Sequence, residues 1–583
     1  MNWTFARSSD ILTHKERVAA TWPHYIGSLI DVAILVLFLA LSLIIYYARG
    51  GFSSTVTDLT SDAATIATMA ASGDFPEHFR QDSVFKRPDV SRFYVAFHVP
   101  ATRLLYRFTG DYGLAFTVLL LPTLFLYFTA FYFLGYSLFQ SRVLALMLAI
   151  VNMVLVKGPR DTAWGPFKDA LPRFDHAVLF AVLVALLWRL RDRPWLWWLV
   201  LLLAGLGVYV HPVSTPALGA MLLGAAVGIS LSRQAFLRDL PAVLLAGAAF
   251  LLAVFPFAVP FVLTSFGRGI VSAVTADEAA ELARIIEERF TGAYLSPSKT
   301  IQEYVFRPYV ICGIVPLMAG GFLATYLANE QEICKLLRRF AIGAVLGLTL
   351  AAILVPVAFE WTTKPLTGFV FKGELPRAAR YIVPWTYIIV LAGVGCLWRS
   401  LRPPQRRVLI AGILSIIGVG VLVTLPRLSR MVKAMQRVPH ANSQVVELVN
   451  AIKKDVQPQE PIVAAMTDPL VIRYSALRSL AFATKDVPST MSLREAEVWR
   501  ENARTYRRIL NLQSFDHRII ATIDWAKTLG ARVIVVERPA SDNKEFLTTR
   551  FSNTQLVFYN WRFALIRLTT EQEDIAVDHD PLQ

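Results

Sequence analysis

Charged residues and cysteines are both scarce in this sequence of 583 residues. Only 17% of the residues are charged, against about a quarter in soluble globular domains. The hydrophobic share is 55% and the mean hydropathy is +0.48. This balance excludes a disordered chain and a purely soluble enzyme. Three cysteines, Cys312, Cys334 and Cys396, are too few for a disulfide scaffold and lack metal-ligand spacing. The composition indicates a protein that crosses the membrane many times.

Acidic residues are also fewer than basic ones, 43 against 58, which gives a net charge of +15. In a membrane protein the basic residues collect in cytoplasmic loops and at helix ends, so we predict no nucleic-acid partner. Walker, GxSxG, Rossmann and haem motifs are absent from the sequence. The centres of the apolar runs lack Asp, Glu, Lys and Arg, which argues against an ion-coupled transporter.

Long apolar runs predict about eleven membrane helices in a mainly α, polytopic bundle. The predicted spans are Ile30–Tyr47, Leu114–Tyr136, Val143–Val156, Ala177–Leu190, Trp195–Val210, Pro216–Leu231, Ala242–Leu263, Tyr309–Leu327, Ala341–Phe359, Tyr381–Trp398 and Val408–Leu425. The first run has no small-residue cleavage site, so we expect it to stay in the membrane rather than be removed as a signal peptide.

The basic loops predict the orientation and the domains. Arg and Lys cluster in four short loops that fall on one side if the helices alternate, and the positive-inside rule makes that side cytoplasmic. Residues 1–29 are then a cytoplasmic segment and residues 30–426 the membrane domain of a bacterial inner-membrane protein, with a large outer loop at 50–113. An odd number of spans places residues 427–570 outside the cell as a soluble α/β domain. Residues 571–583 are a polar tail.

Short elements are predicted in the outer loops and in the C-terminal region. Helices are expected at Ser61–Ala71, Arg92–Phe108 and Ala276–Phe290, the second of them kinked or split at Pro100. In the C-terminal region, alternation of charged and apolar stretches predicts helices and short strands. The predicted helices are Ser443–Asp455, Ser492–Leu512 and His517–Leu529, and the predicted strands are Pro461–Met466, Ser479–Thr484, Arg532–Val536, Gln555–Tyr559 and Arg562–Leu568. The last two strands are expected to form a hairpin around Asn560-Trp561.

Carboxylates beside the outer ends of spans are the candidate catalytic groups. Asp58 and Asp62 follow the first span, and Asp161 and Asp175 lie in the loop before the fourth. A carboxylate there could take a proton from an acceptor hydroxyl, and two together could hold a divalent metal ion. The alternative is that Asp62 and Asp175 favour the starts of their helices. No HExxH or DxD spacing is present, so the sequence leaves the metal open.

Histidine and basic residues on the predicted outer side are candidates for substrate binding. His211 ends the fifth span and could hydrogen-bond a phosphate or a sugar hydroxyl. Lys372, Arg377 and Arg380 stand in the last outer loop, against the positive-inside bias. Arg377 and Arg380 are three positions apart, so they lie on one face if that stretch is helical. A lipid phosphate would account for them, since Arg matches phosphate oxygens bidentately. The alternatives are an interfacial histidine satisfied by backbone and cations that snorkel to headgroups.

The layout resembles the GT-C membrane glycosyltransferases, polytopic enzymes that take sugars from polyprenyl-phosphate lipids. The segment that begins Ser61-Asp62 and continues through Phe75-Pro-Glu-His-Phe-Arg-Gln-Asp82 is similar to the family's acidic first outer loop. Pro172-Arg-Phe-Asp175-His lies in the region of its second acidic position. An odd span count followed by an outer α/β domain completes the resemblance, which covers the whole architecture.

The resemblance implies transfer of a sugar from a polyprenyl-phosphate donor on the extracytoplasmic side. Asp62 would be the general base, and Asp175 or Asp161 would orient the acceptor or hold a metal. Lys372, Arg377 and Arg380 would stabilise the departing lipid phosphate. Membrane lipid and the lipid-linked sugar are the implied partners. The alternative is a non-catalytic membrane protein on the same scaffold, an assembly or polymer-export partner, and a transporter is disfavoured.

Overall fold

The fold is a computed structural model that describes most of the chain. The described residues are 14–48, 59, 61–86, 96–153, 164–165, 170–267, 275, 277–278, 281, 284–285, 288, 296–308, 310–328, 332–367, 375–402, 404–405, 439–484, 493–542 and 553–569. The predicted span Val408–Leu425 lies outside them.

The described residues are mainly helical. The α-helices are α1 (His14–Ala48), α2 (Ser61–Asp74), α3 (His98–Thr109), α4 (Tyr112–Val118), α5 (Leu120–Phe139), α6 (Arg142–Val151), α7 (Pro172–Arg189), α8 (Trp197–Leu206), α9 (Thr215–Ser232), α10 (Phe236–Gly267), α11 (Pro297–Val305), α12 (Val315–Leu327), α13 (Glu332–Thr349), α14 (Val355–Thr367), α15 (Ile382–Ser400), α16 (Pro439–Asp455), α17 (Leu470–Tyr474), α18 (Leu493–Leu510) and α19 (Phe515–Thr528). The strands are β1 (Ile462–Ala465), β2 (Val533–Glu537), β3 (Thr554–Tyr559) and β4 (Phe563–Leu568).

Seven helical stretches of the described residues are long and apolar enough to cross a membrane. They are Leu29–Tyr47, Tyr112–Phe139, Thr215–Ser232, Phe236–Pro260, Val310–Leu327, Glu332–Thr362 and Leu375–Ser400. Shorter apolar helices at Arg142–Val151 and Pro194–Tyr209, together with α7, overlap three more predicted spans. The chain is therefore a polytopic membrane helix bundle followed by a mixed C-terminal region, while the count of eleven spans stays a prediction.

Glycines bring two of the membrane helices into backbone contact. Gly224 and Gly228 of α9 face Gly343 and Gly347 of α13, and a Cβ atom added at Gly343 would lie 2.0 Å from the carbonyl oxygen of Gly224. No other residue type fits at such a distance. This arrangement is the close approach that small residues four apart permit between membrane helices.

The C-terminal region contains a four-stranded sheet in the order β1-β2-β4-β3. β1 and β2 are parallel, and β3 and β4 form the predicted antiparallel hairpin. The predicted strand Ser479–Thr484 is wrong, because only Leu480 forms a single bridge to Ile462. The fully buried pattern of β1 and β2 matches strands covered on both faces.

The segment that follows α1, predicted to be the first outer loop, folds onto the C-terminal region. α2 packs against α3, α4 and α17. Asp82 and Arg473 form a salt bridge with 0% and 1% of their side chains exposed, and the Asp82 carboxylate also accepts from the backbone N–H of Leu480. The hydroxyl of Ser479 donates to the carbonyl of His78 at 2.8 Å. Residues almost 400 positions apart are thereby fixed to each other.

Two further features differ from the sequence-based predictions or add to them. α3 is not split at Pro100, because proline is its third residue and lies in the first turn, where backbone N–H groups have no helical partner. The described part of the helix predicted at Arg92–Phe108 begins at His98. In addition, Cys334 and Cys396 form a disulfide that joins the start of α13 to the end of α15, while Cys312 is free and exposed.

Candidate functional site

The first turn of α7 places a cation at an unusual position. Pro172 is the first helical residue, which suits its fixed φ and missing N–H group. Arg173 follows it, at the end of the helix where the helix dipole is positive and disfavours a cation. An anion close to both would offset this unfavourable interaction.

The segment Leu375–Tyr381 is a 3-10 helix that presents two more arginines. Since a 3-10 helix has three residues per turn, Arg377 and Arg380 lie on one side of it, as their spacing predicted. Arg380 is 3% exposed, and its Nε donates to the carbonyl oxygen of Arg377 at 2.9 Å. The Tyr304 hydroxyl contacts the carbonyl of Ala379 at 3.5 Å, so α11 braces this segment.

Arg173 and Arg380 both line a small hollow of about 10 Å³. Its other lining residues are Tyr127, Trp164, Gly165, Phe174 and Ala177. The Tyr127 hydroxyl donates to the carbonyl of Asn152 and the Trp164 indole donates to the side-chain oxygen of Asn152. These bonds fix the two aromatic rings. We call this space, together with Arg377, the basic hollow.

Two histidines lie near Arg380, outside the set of residues that line the hollow. His176 is fully buried, with its Nδ1 2.5 Å from the Tyr381 hydroxyl, and its ring centre is 6.0 Å from that of His211. His211 Nδ1 lies 2.8 Å from the Ser214 hydroxyl. Burial lowers the pKa of His211 well below its usual value, and the positive charge of Arg380 lowers it further. His211 is therefore neutral at physiological pH and can hydrogen-bond without adding charge.

Asp175 lies on another face of α7. Its carboxylate oxygen is 2.5 Å from Nε2 of His98, which is fully buried at the start of α3. At 100° per residue, Asp175 lies about 200° around the helix from Arg173. The structure thus pairs Asp175 with His98 and points it away from the residues that line the basic hollow.

The structure describes only some of the remaining predicted site residues. Asp62 is the second residue of α2, in its first turn, as the helix-start alternative predicts. Asp58, Asp161 and Lys372 lie outside the described residues. Among the residues that are described, no three His, Cys, Asp or Glu side chains come together as metal ligands. The structure therefore brings together Arg377, Arg380 and His211, and leaves the other assignments as predictions.

Comparison with known proteins gives only distant structural matches. No family model matches the sequence, and no curated protein matches it. Among solved structures, the crystal structure of ArnT from Cupriavidus metallidurans bound to undecaprenyl phosphate matches at 14% identity, over 91% of this chain and 97% of that one. The TM-score is 0.30. At that score the GT-C assignment stays a prediction.

The chemistry of the basic hollow is that of an anion site. The guanidinium groups of Arg173 and Arg380 and the first turn of α7 line it, and the nearby His211 is neutral. Guanidinium groups bind phosphate oxygens bidentately, and a helix N-terminus adds N–H donors and a favourable dipole. The aromatic walls exclude water and strengthen these interactions.

Arg173, His176, Tyr381 and Trp164 were missed from the sequence. Arg173 lies inside the segment Pro172-Arg-Phe-Asp175-His, in which Asp175 was the predicted functional residue. An arginine next to a helix-starting proline was the available signal, because the helix dipole disfavours it there. No local signal marks Trp164 or Tyr381, whose positions depend on contacts between distant segments.

Proposed function

We propose that the protein is a membrane glycosyltransferase that takes a sugar from a polyprenyl-phosphate donor. The phosphate binds in the basic hollow, the reaction takes place at the extracytoplasmic surface, and the sugar passes to an acceptor hydroxyl. The protein resides in a bacterial inner membrane with its N-terminus in the cytoplasm. The C-terminal region lies outside and helps to select the acceptor.

One observation carries this proposal: Arg173 and Arg380 line the same aromatic hollow at the start of an apolar helix, and the charge of Arg377 acts with theirs on His211. Arg377 and Arg380 stand in the predicted last outer loop, where the positive-inside rule does not account for basic residues. Such a site suits a ligand that is anionic, that lies at the membrane surface and that carries an apolar chain. A phosphate on a membrane lipid has all three properties.

The reaction needs a base and a stabilised leaving group. The acceptor oxygen attacks the anomeric carbon, its proton passes to a carboxylate, and the polyprenyl phosphate leaves with the electron pair of the broken bond. We assign the base to Asp62, with Asp58 as its neighbour. The arginines stabilise the charge on the departing phosphate. Asp161 orients the acceptor, since Asp175 is paired with His98 and points away from the basic hollow.

Binding of a polyprenyl phosphate to Arg380→Gln tests the first step. We expect the affinity of the purified protein in nanodiscs to fall at least tenfold, because the change removes a charge-assisted contact in a buried site. Arg402→Gln is the matched control, since Arg402 is exposed and lies ~30 Å away beyond the far end of α15. Equal binding by both variants would remove the basic hollow from the proposal.

Turnover tests the second step. Asp62→Asn should retain binding of the polyprenyl phosphate and lose sugar transfer. Full activity of Asp62→Asn would exclude Asp62 as the base.

A non-catalytic membrane protein that binds a lipid phosphate is the second candidate. The pairing of Asp175 with buried His98 favours it, because a carboxylate held in this way has a structural role available. This candidate predicts the same loss of binding in Arg380→Gln, with no transfer of sugar from any polyprenyl-phosphate donor by the wild-type protein.

A further inference from the structure

A long apolar groove runs along the outside of the contact between α9 and α13. It has a volume of about 690 Å³ and begins where the facing glycines leave no side chains between the helices. Leu223, Val227 and Leu231 form one wall; Ile342, Leu346 and Leu350 form the other. We call it the α9–α13 groove. It shares no lining residue with the basic hollow.

The walls of the groove consist of exposed apolar side chains, and their length is close to half the thickness of the bilayer core. Leu346 is 64% exposed, and Leu231, Ile342 and Leu350 are at least 40% exposed. From Ala220 to Leu231 the groove extends for about 16 Å along α9. Half of the hydrocarbon core of a bilayer is about 15 Å thick. The groove therefore matches the acyl chain of a lipid from a single leaflet.

A cation closes one end of the groove. Nη1 of Arg339 donates to the carbonyl oxygen of Leu231 at 2.5 Å, which holds the guanidinium at the end of α9. That bond uses one of its five N–H donors. None of the ion pairs formed among described residues involves Arg339. This end of the helices carries the basic loop that the positive-inside rule places in the cytoplasm, where anionic lipids attract basic residues.

We propose that the α9–α13 groove binds one phospholipid of the cytoplasmic leaflet with an anionic headgroup. Its acyl chain lies along the groove between the two leucine-rich walls, and its phosphate accepts hydrogen bonds from Arg339. The site is separate from the proposed transfer reaction and does not depend on it. A lipid held there fills the space beside the glycine contact and joins α9 to α13.

Lipid retention tests the proposal. The full chain is placed in nanodiscs of equal parts phosphatidylglycerol and phosphatidylcholine, and the lipids that remain bound after release are counted by native mass spectrometry. We expect the wild type to retain one phosphatidylglycerol in preference to phosphatidylcholine. Arg339→Gln should lower this preference about fivefold, the effect of one basic residue at an anionic surface. Arg339→Lys should keep the preference, since it keeps the charge.

Matched variants separate the groove from the rest of the surface. Leu346→Trp fills the groove and should reduce retention of both lipids, whereas Leu251→Trp on the exposed side of α10 should not. Arg402→Gln removes an exposed charge near the end of α15 and should leave the preference intact.

Three results would overturn the proposal. The first is equal retention of the two lipids by the wild type. The second is the same loss in Arg402→Gln as in Arg339→Gln, which would indicate a general attraction to the surface. The third is a wild-type dimer that Leu346→Trp converts to a monomer, which would make a second copy the occupant. If Arg339→Gln fails to fold, the lipid retention of Arg339→Lys, Leu346→Trp and Leu251→Trp tests the proposal in its place.

Discussion

Arg173 illustrates how a single residue can reveal the chemistry of a site. It stands in the first turn of α7, where the helix dipole repels it, and it lines the same hollow as Arg380. A bound phosphate would offset both the repulsion by the dipole and the repulsion between the arginines.

The same cations give the protein a pH dependence through His211. Its pKa is lowered in the folded protein by burial and then by Arg380, while the unfolded chain takes up the proton near pH 6.5. Below about pH 6.5 the unfolded state therefore binds more protons, and the free energy of unfolding falls as the pH decreases. We expect His211→Gln to flatten this fall in thermal unfolding measured from pH 5 to pH 8.

His517 provides the control for that experiment. It is an exposed histidine on α19, so His517→Gln should leave the pH profile unchanged. A wild-type profile that is flat below pH 6.5, or equal effects of the two substitutions, would contradict the assignment to His211.

At the level of single residues, the sequence predicted on which face of an element the charged side chains lie better than it predicted which residues they contact. The spacing of Arg377 and Arg380 was sufficient to place both on one side of a helix, because that relation is local. The pairing of Asp175 with His98 was not predictable, because it joins two segments 77 positions apart and depends on how α3 packs against α7. Local spacing determines the face of an element, and tertiary packing determines what that face meets.

At the level of elements, the contact between α9 and α13 is the most restrictive in the described part of the membrane domain. A methyl group at Gly343 would overlap the backbone of Gly224. We expect Gly343→Ala to lower the free energy of unfolding by about 1–3 kcal/mol, since overpacked cores respond by shifting backbone. The measurement is the thermal unfolding midpoint in detergent.

Gly320 on α12 is the matched control for Gly343. A Cβ atom added there meets nothing within 4 Å. Because alanine favours a helix over glycine by up to about 1 kcal/mol, Gly320→Ala should be neutral or slightly stabilising. If both variants lost a similar amount of stability, the loss in Gly343→Ala would have a cause other than the contact between α9 and α13.

The elements also show where sequence patterns are sufficient. Long apolar runs predicted the membrane helices, and the two strands around Asn560 and Trp561 form the expected hairpin. Ser479–Thr484 has the composition of a strand but forms one bridge, because its backbone also bonds to the first outer loop through Leu480. α17 was not predicted, since five residues are too few for a helical period to be visible.

At the level of the whole molecule, the buried pair of Asp82 and Arg473 fixes the first outer loop to the C-terminal region. Asp82→Ala would leave Arg473 buried with no opposite charge beside it. We expect this variant to lose about 3–5 kcal/mol of stability, measured as a fall in the thermal unfolding midpoint. Glu77→Ala, in the same loop but half exposed, should change stability by less than about 1 kcal/mol.

The double variant Asp82→Leu with Arg473→Met refines that test. Replacing both charges by apolar groups of similar volume should recover much of the loss, since the cost comes from one charge without the other. A double variant as unstable as Asp82→Ala would mean that the hydrogen bonds of Asp82 to Val84 and Leu480 matter more than its charge.

The separation of this pair along the chain also has a consequence for synthesis. Asp82 emerges from the ribosome 391 residues before Arg473. At about 5–20 residues per second, its partner arrives some 20–80 s later. Throughout that interval the loop exists without its counter-charge, while every membrane helix between them is inserted. The loop must therefore stay hydrated, or be sheltered by another protein, until translation reaches the last fifth of the chain.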